Sequence, residues 1–198
     1  MSSTLTHTQP RRTATPTEKV LTASLVFAPV LYLIADSTYA ARGWTDSTAG
    51  ILHVLGAISY GFVVLRAAAW LGERPRLGVA ILVTGLIGMA GNVAYGFDTI
   101  HMSLGDTALV HQPGAANLIK PLGLFFPLSF ALIAIAVFLL GSRWQGIVLV
   151  VAALAWPVAH IGNIAPLAVA VNVLLVVAFG SLAWRERTGG SASTSAGE

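Results

Sequence analysis

The stretch 164–184, IAPLAVAVNVLLVVAFGSLAW, decides the fold. It carries no charged side chain, and Asn172 is the one amide in it. A continuous apolar run of about 20 residues is what a helix needs to cross a hydrocarbon core ~30 Å thick. Pro166 suits the first turn of such a helix, where a missing N–H costs nothing. Trp184 sits where an aromatic anchor belongs, at an interface. Five comparable stretches precede it, at roughly 20–41, 49–71, 77–98, 118–140 and 144–162. All are continuously apolar and none alternates, which excludes a β-barrel. The expected fold is all-α: a polytopic integral membrane protein built as a six-transmembrane-helix bundle, with its N- and C-termini cytoplasmic.

Composition agrees. Of the 198 residues, 56% are hydrophobic and 10% charged, against roughly 25% charged in a soluble domain. Such a chain cannot cover a water-facing surface, so the lipid bilayer is its expected solvent. The Ala/Val/Leu/Gly-rich pattern resembles that of small bacterial membrane proteins, which implies a multi-pass protein of the cell membrane. The ends, 1–17 and 188–198, are rich in Ser, Thr, Pro and Gly and read as disordered tails. The first span has a basic lead and the sequence STYA before Ala41. It reads as a retained span, because run and lead are both long for a cleaved leader.

Orientation follows from Lys and Arg. With the N-terminus inside, cytoplasmic segments hold Arg11, Arg12, Lys19, Arg66, Arg74, Arg76, Arg143, Arg185 and Arg187, while the outer ones hold Arg42 and Lys120. Nine against two satisfies the positive-inside rule. Trp70, Trp144 and Trp184 fall at the same inner interface. The net charge of +3 is therefore a topology signal, and no nucleic-acid partner is expected. Arg66 lies about one turn inside its span and is expected to snorkel toward the cytoplasm. The absence of cysteine excludes disulfides, thiolate metal sites and thiol catalysis.

Ionisable side chains inside a membrane span are costly and point to a function. Here they gather in the outer halves of the spans. Asp36 and His53 flank the first outer loop at about equal distance, so a helical hairpin sets them at one depth. A carboxylate beside an imidazole fixes its tautomer and raises its basicity. The expected catalytic set is Asp36 orienting His53 as a general base, with His160 as a second base or ligand. Trp156, His160 and Asn163 recur along one face of the fifth span, and Asn92, Tyr95 and Asp98 along one face of the third. Asn92, Tyr95, Asp98, Trp156 and Asn163 are the expected ligand-binding residues. The long segment 99–117 carries His101, Asp106 and His111, with Ser103 or Asp106 placed to cap a short interfacial helix, and is a candidate lid.

These residues imply an outward-facing polar pocket that binds a small molecule, a lipid headgroup or a metal. The cofactor is left unknown. For a zinc or iron ion the candidates are His53, His160 and Asp36, with His101, His111 and Asp98 in reserve, but no two histidines share a helix at ligand spacing. His53 and His160 at one depth also permit a haem. Two other functions fit the pattern. One is a non-catalytic membrane subunit or scaffold that assembles with itself or with partner proteins. The other is a small proton-coupled transporter, although midplane polar groups are limited to Tyr60, Ser129 and Asn172.

The segment Ala159-His160-Ile161-Gly162 resembles the histidine motif of rhomboid intramembrane proteases. Gly88-Met89-Ala90-Gly91 resembles their serine motif, with Ala90 at the nucleophile's place. Without that hydroxyl the acyl transfer implied by the resemblance is excluded. Gly85, Gly88 and Gly91 form a small-residue stripe that lets helices approach closely, which makes the third helix the expected bundle centre.

Overall fold

A computed structural model describes residues 14–192, the last four as backbone. Among the described residues, six helices are long and apolar enough to span a membrane. They are α1 (Pro16–Arg42), α2 (Ser47–Ala69), α3 (Pro75–Ser103), α4 (Ile119–Leu139), α5 (Arg143–Ile161) and α6 (Ala165–Ala192). Each overlaps one of the apolar stretches. The expected tails begin and end as helix, from Pro16 and through Ala192; residues 1–13 and 193–198 lie outside those described.

Local chemistry sets the helix ends. Thr15 and Glu18 form a reciprocal capping box, the Glu18 N–H donating to Thr15 Oγ1 at 3.2 Å and the Thr15 N–H to Glu18 Oε2 at 2.7 Å. Asp46 caps α2 by accepting the Ala49 N–H at 2.9 Å. Asn163 turns α5 into α6 with φ +51°, a left-handed conformation that Asn tolerates better than most residues.

The helices pack in chain order, and α6 closes on α1, so the bundle is a ring of antiparallel neighbours. Its axis is filled by Tyr32, Tyr60, Phe126, Phe130 and Phe179, all 1% exposed or less. Their rings meet edge to face or tilted at centroid distances of about 5 to 6 Å, apart from a stacked Tyr32–Phe126 pair. The outer surface is apolar, with Leu154, Ile161 and Trp184 more than two-thirds exposed.

The third helix is not the centre. Only 33% of its span is buried, against 56% for α2. Its glycines serve two one-sided contacts instead. A Cβ on Gly85 would meet Val64 Cγ2 of α2 at 2.5 Å, and Cβ atoms on Gly88 and Gly91 would overlap the α4 backbone at Phe125–Phe126 and Leu122–Gly123. Close packing on each flank, against the Val64 side chain on one and the α4 backbone on the other, makes α3 a staple between α2 and α4.

Candidate functional site

Asp36 is fully buried near the C-terminal end of α1, on the face it shares with Tyr32 and Tyr39. Its Oδ2 meets two partners. His160 Nε2, from α5, lies 3.1 Å away, and Asn172 Nδ2, from α6, donates at 2.5 Å. Asp36 Oδ1 has no hydrogen-bond partner. Proton positions follow from the neighbours. His160 Nδ1 faces the Trp156 carbonyl at 3.0 Å, an acceptor only, so Nδ1 carries hydrogen. The contact between His160 Nε2 and a carboxylate then requires a proton as well. Asp36 and His160 together hold one proton, on the imidazole or on the acid, and the pair is neutral. Asn172 Nδ2 lies between Asp36 Oδ2 and the Ala168 carbonyl, both acceptors, which fixes the amide and leaves Asn172 Oδ1 unpaired.

His53, on α2, belongs to a second group. Its Nε2 is 3.3 Å from Asn92 Oδ1 and 3.3 Å from the Tyr32 hydroxyl. Asn92 Nδ2 donates to the Gly88 carbonyl at 2.9 Å and reaches the Gly123 carbonyl at 3.5 Å. Pro127 lies four residues after Gly123 and has no N–H to give that carbonyl, which leaves it open to Asn92. Asn92 Oδ1 must therefore accept from His53 Nε2, and His53 Nδ1 is left as an unpaired acceptor.

The expected dyad of Asp36 and His53 is thus replaced by Asp36–His160–Asn172 and His53–Asn92–Tyr32. The ring order is the reason: closure of α6 on α1 brings Asn172 to Asp36, while α3 brings Asn92 to His53. Both nitrogens of His160 are occupied, Nδ1 by the Trp156 carbonyl and Nε2 by Asp36. His53 Nδ1 is the open one.

Aromatic rings connect the two groups. Tyr39 lies 6.1 Å from His53 and stacks on Trp44 at 5.0 Å; Trp44 meets the edge of His160 at 6.2 Å; His160 stacks on Trp156 at 4.1 Å. Trp44, in the α1–α2 connection, donates from Nε1 to the Asn163 carbonyl at 3.2 Å and so ties that connection across the site to the α5–α6 turn. Compared with protein families, curated proteins and solved structures, the chain matches none.

The remaining expected residues fall into two classes. Trp156 and Tyr95 line the site: Trp156 is 6% exposed with an unpartnered Nε1, and the Tyr95 ring lies 5.4 Å from His53. Asp98 and Asn163 hold structure instead. Asp98 is fully buried, and its two oxygens accept the Leu109 N–H at 2.6 Å and the Val110 N–H at 3.2 Å. It caps the short 3-10 turn Leu109–His111, which takes the place of the interfacial helix expected under Ser103 or Asp106. His101 and Asp106 pair with each other at 3.3 Å in that segment. Ala90 lies exposed on α3, and α3 and α5 are not neighbours in the ring, so the rhomboid-like fragments do not assemble. Among the described residues, no group of three His, Asp or Glu side chains could hold a metal ion.

Sequence reasoning missed Asn172, Tyr32, Tyr39 and Trp44 as site residues. It also missed Glu186. At the opposite end of the bundle Glu186 accepts from Arg66 Nη2 at 2.9 Å, from Trp70 Nε1 at 2.6 Å and from Thr22 Oγ1 at 2.8 Å. Arg66 is thus held by α6 and does not snorkel freely. Two open cavities, of about 260 and 440 Å³, flank this Glu186 cluster.

Proposed function

We propose that the chain is a multi-pass protein of the plasma membrane with cytoplasmic termini, and that its outward half holds a closed polar site for a small ligand. The observation that carries this reading is Asp36. It is fully buried, meets His160 Nε2 at 3.1 Å, and keeps one carboxylate oxygen unpartnered. An unpaired carboxylate oxygen inside an apolar bundle is costly, and such residues mark functional sites by default. The nine-to-two distribution of Lys and Arg supports an Asp36 end that faces outward. Trp44 covers His160 at that end, so ligand entry requires Trp44 to leave the Asn163 carbonyl.

The aromatic fill at the axis separates the Asp36 site from the Glu186 end. A transporter built on this chain must therefore move helices to pass its cargo. A scaffold is the second reading, and it draws on Asp98, Asn163 and Glu186, whose polar atoms all tie segments together.

The native chain has no cysteine, so a single thiol reports cleanly. In the Tyr95→Cys variant, a membrane-impermeant maleimide added outside intact cells is expected to label the thiol. A thiol labelled from neither side would mean a sealed packing core, and the scaffold reading would stand in place of the site.

A further inference from the structure

We infer that the Asp36 site takes a small primary ammonium group and exchanges it for the proton shared by Asp36 and His160. This rests on the outward-site reading and narrows its ligand to one chemical class.

The hydrogen-bond inventory selects that class. Asp36 Oδ1 and Asn172 Oδ1 are buried acceptors without donors. When the shared proton leaves, His160 keeps hydrogen on Nδ1 for the Trp156 carbonyl, and Nε2 becomes a third acceptor. A primary ammonium brings three N–H donors, equal in number to these acceptors. An anion would meet one free donor, Trp156 Nε1, against the unpaired oxygens of Asp36 and Asn172. Arg42 and Lys120, the cationic side chains at this end, are both exposed, and Arg42 already lies 3.9 Å from Asp46. Aromatic rings wall the site: Trp156 stacks on His160 at 4.1 Å, and Trp44, stacked on Tyr39, lies 6.2 Å from it.

Charge balances in the exchange. The free pair holds one carboxylate and one proton. The occupied site holds one carboxylate, one neutral imidazole and one ammonium, and one proton has gone to water. Both states are neutral, which suits a site with no exposure. The other titratable groups around Asp36 are Tyr32 and Tyr39 on its own helix, His53 and Tyr60 on α2, and Tyr95 on α3; α6 offers Asn172, which does not titrate. Two further carboxylates lie beyond these tyrosines, Asp46 beside Tyr39 and Asp98 beside Tyr95, and each already accepts backbone N–H groups.

The test uses the purified full chain with methylammonium, its neutral isostere methanol, inorganic phosphate and sodium as probes. Methylammonium is expected to raise the melting temperature saturably, as binding to the folded state must. It is expected to release about one proton per site, so its apparent affinity rises about tenfold per pH unit. The Asp36→Asn variant should lose both responses. The pH slope is read on the wild type, so the test survives a variant that does not fold. Stabilisation without proton release would overturn the exchange. A response to methanol, phosphate or sodium but not to methylammonium would overturn the ligand class and leave the site reading intact. No response to any probe, with the Tyr95→Cys thiol labelled from outside, would sink the inference alone; with that thiol unlabelled, the site reading falls too.

Discussion

Asp98 and Asp36 are both fully buried carboxylates, and they differ in how far their oxygens are hydrogen-bonded. Asp98 has one backbone N–H on each oxygen, so its hydrogen-bonding is complete at Leu109 and Val110. Asp36 is complete on one side only. In Asp98→Ala two N–H groups lose their acceptor, at about 1–3 kcal/mol for each buried group left unpaired. Limited proteolysis should then cut the 99–117 segment faster than in the wild type. Asp98→Asn should fall between, because an amide offers one oxygen for two donors. Equal cleavage in all three proteins would show that Asp98 does not hold the segment. At this scale the sequence was informative about which residues are deep and polar, and Asp36, His53, Asn92 and His160 do lie at the same end of the bundle. It was silent on partners. Asn172 read as an isolated midspan amide, because its partner Asp36 is distant in the chain and is brought to it only by ring closure.

At the scale of the element, α3 carries the clearest test. Its glycine stripe was legible as a packing surface, since small residues at helical spacing admit a close neighbour. Which neighbours was not legible, and the expectation of a central helix failed for that reason. A helix stapled to two partners needs small residues as much as one surrounded on all sides. Gly88→Ala places a methyl on the backbone of Phe126, which cannot rotate away. The helices must separate, and overpacking of this kind costs about 1–3 kcal/mol or more. For a chain of this size that corresponds to a fall of about 2–4 °C in melting temperature per kcal/mol. Gly180→Ala is the control, because a Cβ there meets nothing within 4 Å. Thermal denaturation in one detergent should therefore lower the transition for Gly88→Ala and leave that of Gly180→Ala unchanged or raised. Equal transitions would mean that α3 and α4 are not in backbone contact.

The whole molecule is a ring with two polar ends and an apolar axis. Hydropathy made the six helices legible, because span length and charge content depend on composition alone. Ring order did not, since helices of nearly uniform apolarity carry little record of which faces meet. The ends differ in kind. At one, Glu186 joins α1, α2 and α6 through Thr22, Arg66 and Trp70, beside open cavities. At the other, Asp36 joins α1, α5 and α6 within a closed site. Which end faces the cytoplasm decides what the Asp36 site can meet, and two exposed residues on either side of α3 settle it. Asp106 lies in the α3–α4 connection at the Asp36 end, and Glu73 in the α2–α3 turn at the other. In the cysteine-free chain, Asp106→Cys is expected to react with an impermeant maleimide on intact cells, and Glu73→Cys only after lysis. The reverse pattern would turn the bundle over, contrary to the distribution of Lys and Arg, and make Asp36 the receptor of a cytoplasmic ligand. The proton leaving Asp36 and His160 would then enter the cytoplasm, so the direction of any coupled proton movement follows from these two labelling results.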